Sequence, residues 1–177
     1  GRRNFVRALA GTPAVAVLGA AAIMKGPVPG GPVRLGYVGM GGQGRVLLEQ
    51  TDPRFGEVVA VCDINPLQLK RTDEALQKVG RPRATRYEDW MDMIENEDLE
   101  ALVVATPLFL HAEVTVAALD AGLHVLCEKM MAWDLEGCML MLEASRRNGR
   151  LLEIGHQRHY NPVYQAAYEG IIKPGLL

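Results

Sequence analysis

Val33-Arg34-Leu35-Gly36-Tyr37-Val38-Gly39-Met40-Gly41-Gly42-Gln43-Gly44 is the stretch on which the fold turns. An apolar run, Val33 to Val38, leads straight into three glycines spaced Gly-x-Gly-x-x-Gly, a helical pattern follows, and Asp63 closes the next apolar run. The glycines of that spacing serve three separate purposes, namely a tight strand-to-helix turn, close approach of backbone to a pyrophosphate, and close packing of helix on strand. Asp63 lies about 20 residues past the last glycine, where a carboxylate accepts hydrogen bonds from an adenosine ribose. The glycines alone are a weak match. With a strand before them, a helix after them and an acid at the next strand end, they predict a Rossmann dinucleotide-binding turn in which Gly39, Met40, Gly41, Gly42, Gln43, Gly44 and Asp63 hold the cofactor.

Working outward, short apolar runs alternate with longer helical patterns. Strands are expected at Val33 to Val38, Val58 to Cys62, Ala84 to Tyr87, Ala101 to Ala105, His124 to Cys127 and Leu151 to Ile154, and helices at Gly42 to Gln50, Pro66 to Val79, Glu88 to Glu95, Leu110 to Ala121 and Leu135 to Asn148. Such alternation predicts an α/β fold, a doubly wound parallel sheet covered on both faces. Val58-Val59-Ala60-Val61 and Leu102-Val103-Val104-Ala105 are apolar without alternation, as strands buried on both faces are. Gly122 and Gly149 stand just after helical runs, where a left-handed cap favours glycine. Met139, Met141 and Leu142 follow helical spacing and are expected in the core. Asn161-Pro162 reads as the start of a new helix ending near Gly170, with Asn as N-cap and Pro in its first turn. The domain is therefore placed at residues 33–158, and residues 159–177 read as the start of a second, truncated α+β substrate domain.

Composition excludes some function classes. The 19 basic and 21 acidic residues of this 177-residue chain are interspersed, net charge -2, and no basic block reads as a nucleic-acid footprint. Cys62, Cys127 and Cys138 show no metal-site spacing, and no metal is expected. Residues 1–25 resemble a twin-arginine export signal, with Arg2-Arg3-Asn4-Phe5-Val6 before an apolar stretch from Ala8 to Ile23. That stretch is short of the ~20 residues a membrane span needs and is interrupted by Gly11, Pro13 and Gly19, so a signal directing the protein to the periplasm or otherwise out of the cytoplasm is expected rather than an anchor. A Pro/Gly linker, residues 26–32, joins it to the first strand.

Ligands of an open α/β sheet bind beyond the carboxyl ends of its strands. There the chain carries Thr106-Pro107 with His111 four residues on, Glu128-Lys129, and Gly155-His156-Gln157-Arg158-His159-Tyr160. Together with the glycine turn, Cys62-Asp63 and His124-Val125-Leu126-Cys127-Glu128-Lys129, these motifs resemble the N-terminal half of the Gfo/Idh/MocA family over about Val33 to Leu177. The resemblance implies a nicotinamide-dependent oxidoreductase of sugars, polyols or related hydroxyl compounds, a homo-oligomer at full length, whose second domain completes the substrate site.

By position, Glu128 and Lys129 match the family's Glu-Lys-Pro motif, in which lysine sits near the nicotinamide and the substrate hydroxyl; Lys129 is thus expected to be catalytic and substrate-binding, its burial tuning it for proton transfer. The competing reading is a surface ion pair at a helix start. Met130 replaces the family's proline, which leaves the backbone path intact and the lysine position open. Thr106, Pro107, His111 and Glu128 are expected on the cofactor side, with His111 tying its loop rather than moving protons. His156, Arg158 and Tyr160 are expected to face substrate. The Asp63 carboxylate suits a free ribose 2'-hydroxyl and repels a 2'-phosphate, and Ile64-Asn65 bring no arginine, so NAD is favoured over NADP. Exported relatives of this family include NAD-dependent glycosidases that oxidise a sugar transiently, and a non-catalytic dinucleotide binder is a further alternative. The family's catalytic Asp-x-x-x-His motif lies in its second domain, of which residues 159–177 read as only the start.

Overall fold

Six parallel strands organise residues 30–175, the part of the chain that the structure, a computed structural model, describes. The export signal read over residues 1–25 lies outside the described residues. The strands are β1 (Val33–Val38), β2 (Gly56–Cys62), β3 (Thr85–Tyr87), β4 (Ala101–Val104), β5 (His124–Glu128) and β6 (Leu152–Gly155), in the spatial order β3-β2-β1-β4-β5-β6. That order reverses direction between β1 and β4, which makes the crevice beyond their carboxyl ends the topological switch point. The helices are α1 (Gly42–Gln50), α2 (Pro66–Lys78), α3 (Trp90–Asn96), α4 (His111–Asp120), α5 (Leu135–Asn148) and α6 (Pro162–Ala167).

Side-chain alternation along each strand divides the apolar residues into two cores, one per face. Val33, Leu35, Tyr37, Val58, Val61 and Val103 pack with Leu48 of α1 and Leu69 and Leu76 of α2. Val38, Ala60, Leu102, Val104 and Val125 pack with Met93 of α3, Val114 and Leu119 of α4 and Met141 of α5. The sheet is therefore doubly wound, with two helices on one face and three on the other. Tyr37 is buried at 1% exposure, and its hydroxyl meets Thr51 Oγ1 at 2.5 Å while Thr51 donates to the Leu47 carbonyl at 2.9 Å. Burial pushes the Tyr37 phenol up to about 12.

Local chemistry sets the element ends. Asn65 caps α2 by accepting from Leu67 N at 3.0 Å, with Pro66 at its first position, and Asp134 caps α5 by accepting from Gly137 N at 2.7 Å. Gly122 and Gly149 follow α4 and α5 with φ of 86° and 61°. Where boundaries depart from expectation, the cause is local. Asp89 caps α3, accepting from Met91 N at 2.8 Å, so that helix starts at Trp90 and not Glu88. A 3-10 turn at Leu108–Leu110 precedes α4 because Pro107, at φ -56°, leads the chain into it. Met139 is corrected outright: it is 47% exposed while Met141 is fully buried. Residues two apart on a helix point to nearly opposite sides, so both cannot face the sheet. The final helix is shorter than expected, α6 passing into a π turn at Tyr168–Ile172, with Val163, Tyr164 and Tyr168 exposed. Among the described residues no helix is long and apolar enough to cross a membrane.

Candidate functional site

The glycine turn leaves β1 at the switch point and enters α1. Gly39 has φ +89°, and a Cβ there would lie 2.5 Å from the Ala105 carbonyl oxygen at the end of β4. Its N–H donates to Cys62 O at 2.9 Å, so the turn is clamped between the ends of β2 and β4. A Cβ on Gly44 would collide with the Gly39 carbonyl, which fixes the close contact of α1 with the turn. At Gly41 and Gly42, by contrast, a Cβ would meet nothing within 4 Å. Gly41 is the N-cap of α1, and no side chain caps that helix. Two glycines required by packing thus bracket two that leave open space before an uncapped helix start, where backbone N–H groups and the helix dipole favour an anion. That arrangement fits the pyrophosphate of a dinucleotide.

Asp63, at the end of β2, reaches back to this turn. Its Oδ2 accepts from Met40 N at 2.7 Å and its Oδ1 from Asn65 N at 2.8 Å, while its own N–H donates to Tyr87 O at 3.1 Å. Each carboxylate oxygen retains acceptor capacity, and the group is rigidly aimed along the carboxyl edge of the sheet. Arg45, in the first turn of α1, donates from Nη1 to Met40 O at 2.6 Å and to Gln68 Oε1 at 2.5 Å. Met40 is therefore gripped at both ends of its backbone.

Glu128 and Lys129 lie across the crevice. Glu128 is 7% exposed; its Oε1 accepts from Gln43 Nε2 at 3.0 Å and its Oε2 from Lys129 N at 3.1 Å. The carboxylate thereby joins α1 to the end of β5, and Gly155 on β6, its register partner, leaves it room: a Cβ there would lie 3.3 Å from Glu128 Oε1. A surface ion pair between Glu128 and Lys129 is not what these side chains form. Lys129 itself is exposed, so the burial expected from the sequence is not supplied by the described residues. The Lys129–Met130 peptide is cis. His111, 2% exposed at the start of α4, meets Met130 O through Nδ1 at 2.8 Å and Thr106 O through Nε2 at 3.0 Å, tying the segment after β5 to the segment after β4. Thr106 Oγ1 is buried without a partner in that same region, and Pro107 is exposed at the rim.

The description "Oxidoreductase family, NAD-binding Rossmann fold" matches residues 33–156. The chain belongs to the Gfo/Idh/MocA family. Inositol 2-dehydrogenase/D-chiro-inositol 3-dehydrogenase of Lactiplantibacillus plantarum is 35% identical over 134 residues, covering 74% of this chain and 37% of that protein. A glycosyl hydrolase family 109 protein of Stenotrophomonas maltophilia is 34% identical over 183 residues, covering 96% of this chain and 39% of that protein. In fold, the chain resembles the WlbA dehydrogenase from Bordetella pertussis, solved in complex with NADH and UDP-GlcNAcA, with a TM-score of 0.67 and 30% identity over 81% of this chain and 40% of that one. The chain thus spans about two fifths of the length of each of these relatives.

The segment after β6, where Gly155 pairs with Glu128, is held by contacts of its own. His156 stacks on His159 with ring centroids 5.0 Å apart, Arg158 Nη1 donates to Tyr164 OH at 2.7 Å, and the Tyr160 hydroxyl donates to Glu153 Oε1. The bond to Glu153 pushes the Tyr160 phenol up to about 12. All of His156, Arg158 and Tyr160 are exposed at the carboxyl edge. Sequence reasoning names Gln43 on the cofactor side but not its bond to Glu128, and it misses Arg45, which carries no motif; a cation immediately after the third glycine is the available signal. Among the described residues no cluster of three or more His, Cys, Asp or Glu is placed to hold a metal ion.

Proposed function

We propose that this domain binds NAD and presents it to a sugar or polyol hydroxyl in a dehydrogenase completed by a second domain. The observation that carries the reading is the join between Gln43 and Glu128, which couples the pyrophosphate turn to the backbone of Lys129 through one buried carboxylate. The glycine turn and Asp63 hold the dinucleotide. When bound, its nicotinamide supplies the hydride-accepting chemistry, and the protein supplies orientation. Lys129 contributes N–H donors at Nζ that hold the reacting hydroxyl oxygen and assist its proton transfer. His111 holds the Lys129–Met130 segment in register with Thr106. His156, Arg158 and Tyr160 form the edge on which the second domain closes, and residues 159–175 lead into that domain. The paired Arg2-Arg3 before an apolar stretch supports export of the folded protein to the periplasm, and homo-oligomerisation belongs with the completed molecule.

A second reading is favoured by one finding, the 96% of this chain matched by the glycosyl hydrolase family 109 protein. In that reading oxidation is transient, the aglycone is eliminated, water adds and the product is reduced, with no net redox change. Full-length gene product, incubated with NAD and a panel of polyols, sugars and glycosides, separates the two. Accumulation of reduced nicotinamide supports the dehydrogenase, aglycone release without it supports the glycosidase, and dinucleotide binding with neither leaves a non-catalytic binder.

A further inference from the structure

Both tryptophans of the chain, Trp90 and Trp133, line one trough along α4 and the start of α5, and none of its lining residues belongs to the glycine turn, Asp63 or Lys129. The trough holds about 600 Å³, within the range of small-ligand clefts. Trp133 is 73% exposed and Phe109 66%, while Trp90 is half-buried. No hydrogen bond among the described residues uses either indole N–H. At the floor α4 and α5 meet closely, since a Cβ on Gly137 would lie 3.0 Å from Ala112 Cβ. Four carboxylates line the trough, with no Lys, Arg or His. Asp120 is spent on Arg147 and Asp134 on the cap of α5, whereas Glu113 and Glu136 are exposed and have no partner among the described residues. The starts of α3, α4 and α5 follow the carboxyl ends of β3, β4 and β5, so the trough opens on the same edge as the crevice. Phe109 stands two residues past Pro107 and Trp133 four past Lys129, on the two segments that His111 ties together.

We propose that this trough is a subsite for neutral sugar units, on which the remote part of an oligosaccharide or glycoside lies while its reacting unit occupies the crevice. The inference rests on the oxidoreductase reading above and narrows its substrate class. Exposed rings offer flat apolar faces to the C–H face of a sugar, and the indole N–H groups and free carboxylates supply donors and acceptors for its hydroxyl edge. Charge decides against other small ligands. With carboxylates and no cation on its walls, the trough repels phosphates and uronates. It is equally unsuited to an aliphatic protein surface, which would strip Glu113 and Glu136 of water without returning a hydrogen bond. Sugar hydroxyls return one to each.

The test is calorimetric titration of the full-length gene product, with tryptophan emission followed in parallel. The probes are glucose, N-acetylglucosamine, their neutral malto-, cello- and N-acetylated chito-oligosaccharides, and oligogalacturonates as the anionic counterpart. At least one neutral series is expected to bind and to shift the emission, its longer members about ten-fold or more tighter than the monosaccharide, with the oligogalacturonates inert. Trp133→Ala should weaken that binding about ten-fold or more and Phe109→Ala about three-fold or more, at unchanged thermal midpoints because both side chains are exposed. Glu113→Ala combined with Glu136→Ala should also weaken it about three-fold or more. NAD affinity should stay within about two-fold in every variant. Absence of binding by every neutral series overturns the proposal, as does oligosaccharide affinity indifferent to Trp133→Ala. Binding of oligolysine in place of the sugars assigns the trough to a cationic partner and overturns it too. A Trp133 shielded from acrylamide quenching in the unliganded protein, or self-association that Trp133→Ala dissolves, gives the face to the second domain or to a second copy, with the same consequence. In each of these cases NAD binding by the wild type leaves the functional reading intact, and failure to bind NAD removes that reading.

Discussion

Glycines of one motif differ sharply in what surrounds them, and that difference separates fold from function. Gly39→Ala places a Cβ 2.5 Å from Ala105 O at a φ of +89°, and it is expected to destabilise the chain by about 3 kcal/mol, read as a lowered midpoint in chemical denaturation. Gly41→Ala meets nothing within 4 Å and is expected to alter stability by less than about 1 kcal/mol while weakening NAD binding more than ten-fold, read by titration calorimetry. Motif spacing identifies all three glycines and Asp63 from the sequence because the turn and the acid recur at a fixed spacing set by one strand-helix-strand unit. The bond of Gln43 to Glu128, the role of Arg45 and the orientation of Lys129 are not legible there, since no such spacing ties Gln43 to Glu128 or Arg45 to Gln68.

Elements are legible where a run of like residues carries the signal. Unbroken apolar stretches at β2 and β4 and the glycines Gly122 and Gly149 are local, and the structure places strands and helix stops there. Boundaries that depend on a side-chain cap, such as Asp89 before α3, or on face assignment, such as Met139 on α5, are not, because they depend on which way the neighbouring element lies. His111 shows the same limit at the link between elements. Its ring bridges carbonyls from the segments after β4 and after β5. His111→Ala leaves both without that partner and is expected to cost roughly 1–3 kcal/mol, with faster amide exchange confined to the Thr106 and Lys129 segments.

Across the whole molecule, the two cores and the switch point follow from strand order, and strand order follows from one reversal after β3. That architecture buries groups whose neutral forms the fold requires. Desolvation raises Tyr37, Cys62 and Cys127, each to about 12. A raised value contributes stability that is complete below the unfolded value and lost as pH climbs through the folded one. Stability is therefore expected to hold up to about pH 9, where free thiols begin to ionise in the unfolded chain, and to fall steadily toward pH 12. Tyr37→Phe should flatten that alkaline fall by on the order of 2 kcal/mol in denaturation curves taken across the range. The crevice that this packing creates is the centre of the functional account, and NAD titration of the wild-type chain beside Asp63→Ala tests it most directly. Saturable binding that weakens at least ten-fold in Asp63→Ala, with an unchanged thermal midpoint beyond the loss of the Met40 and Asn65 bonds, is the predicted result. No binding, or affinity indifferent to Asp63, contradicts it.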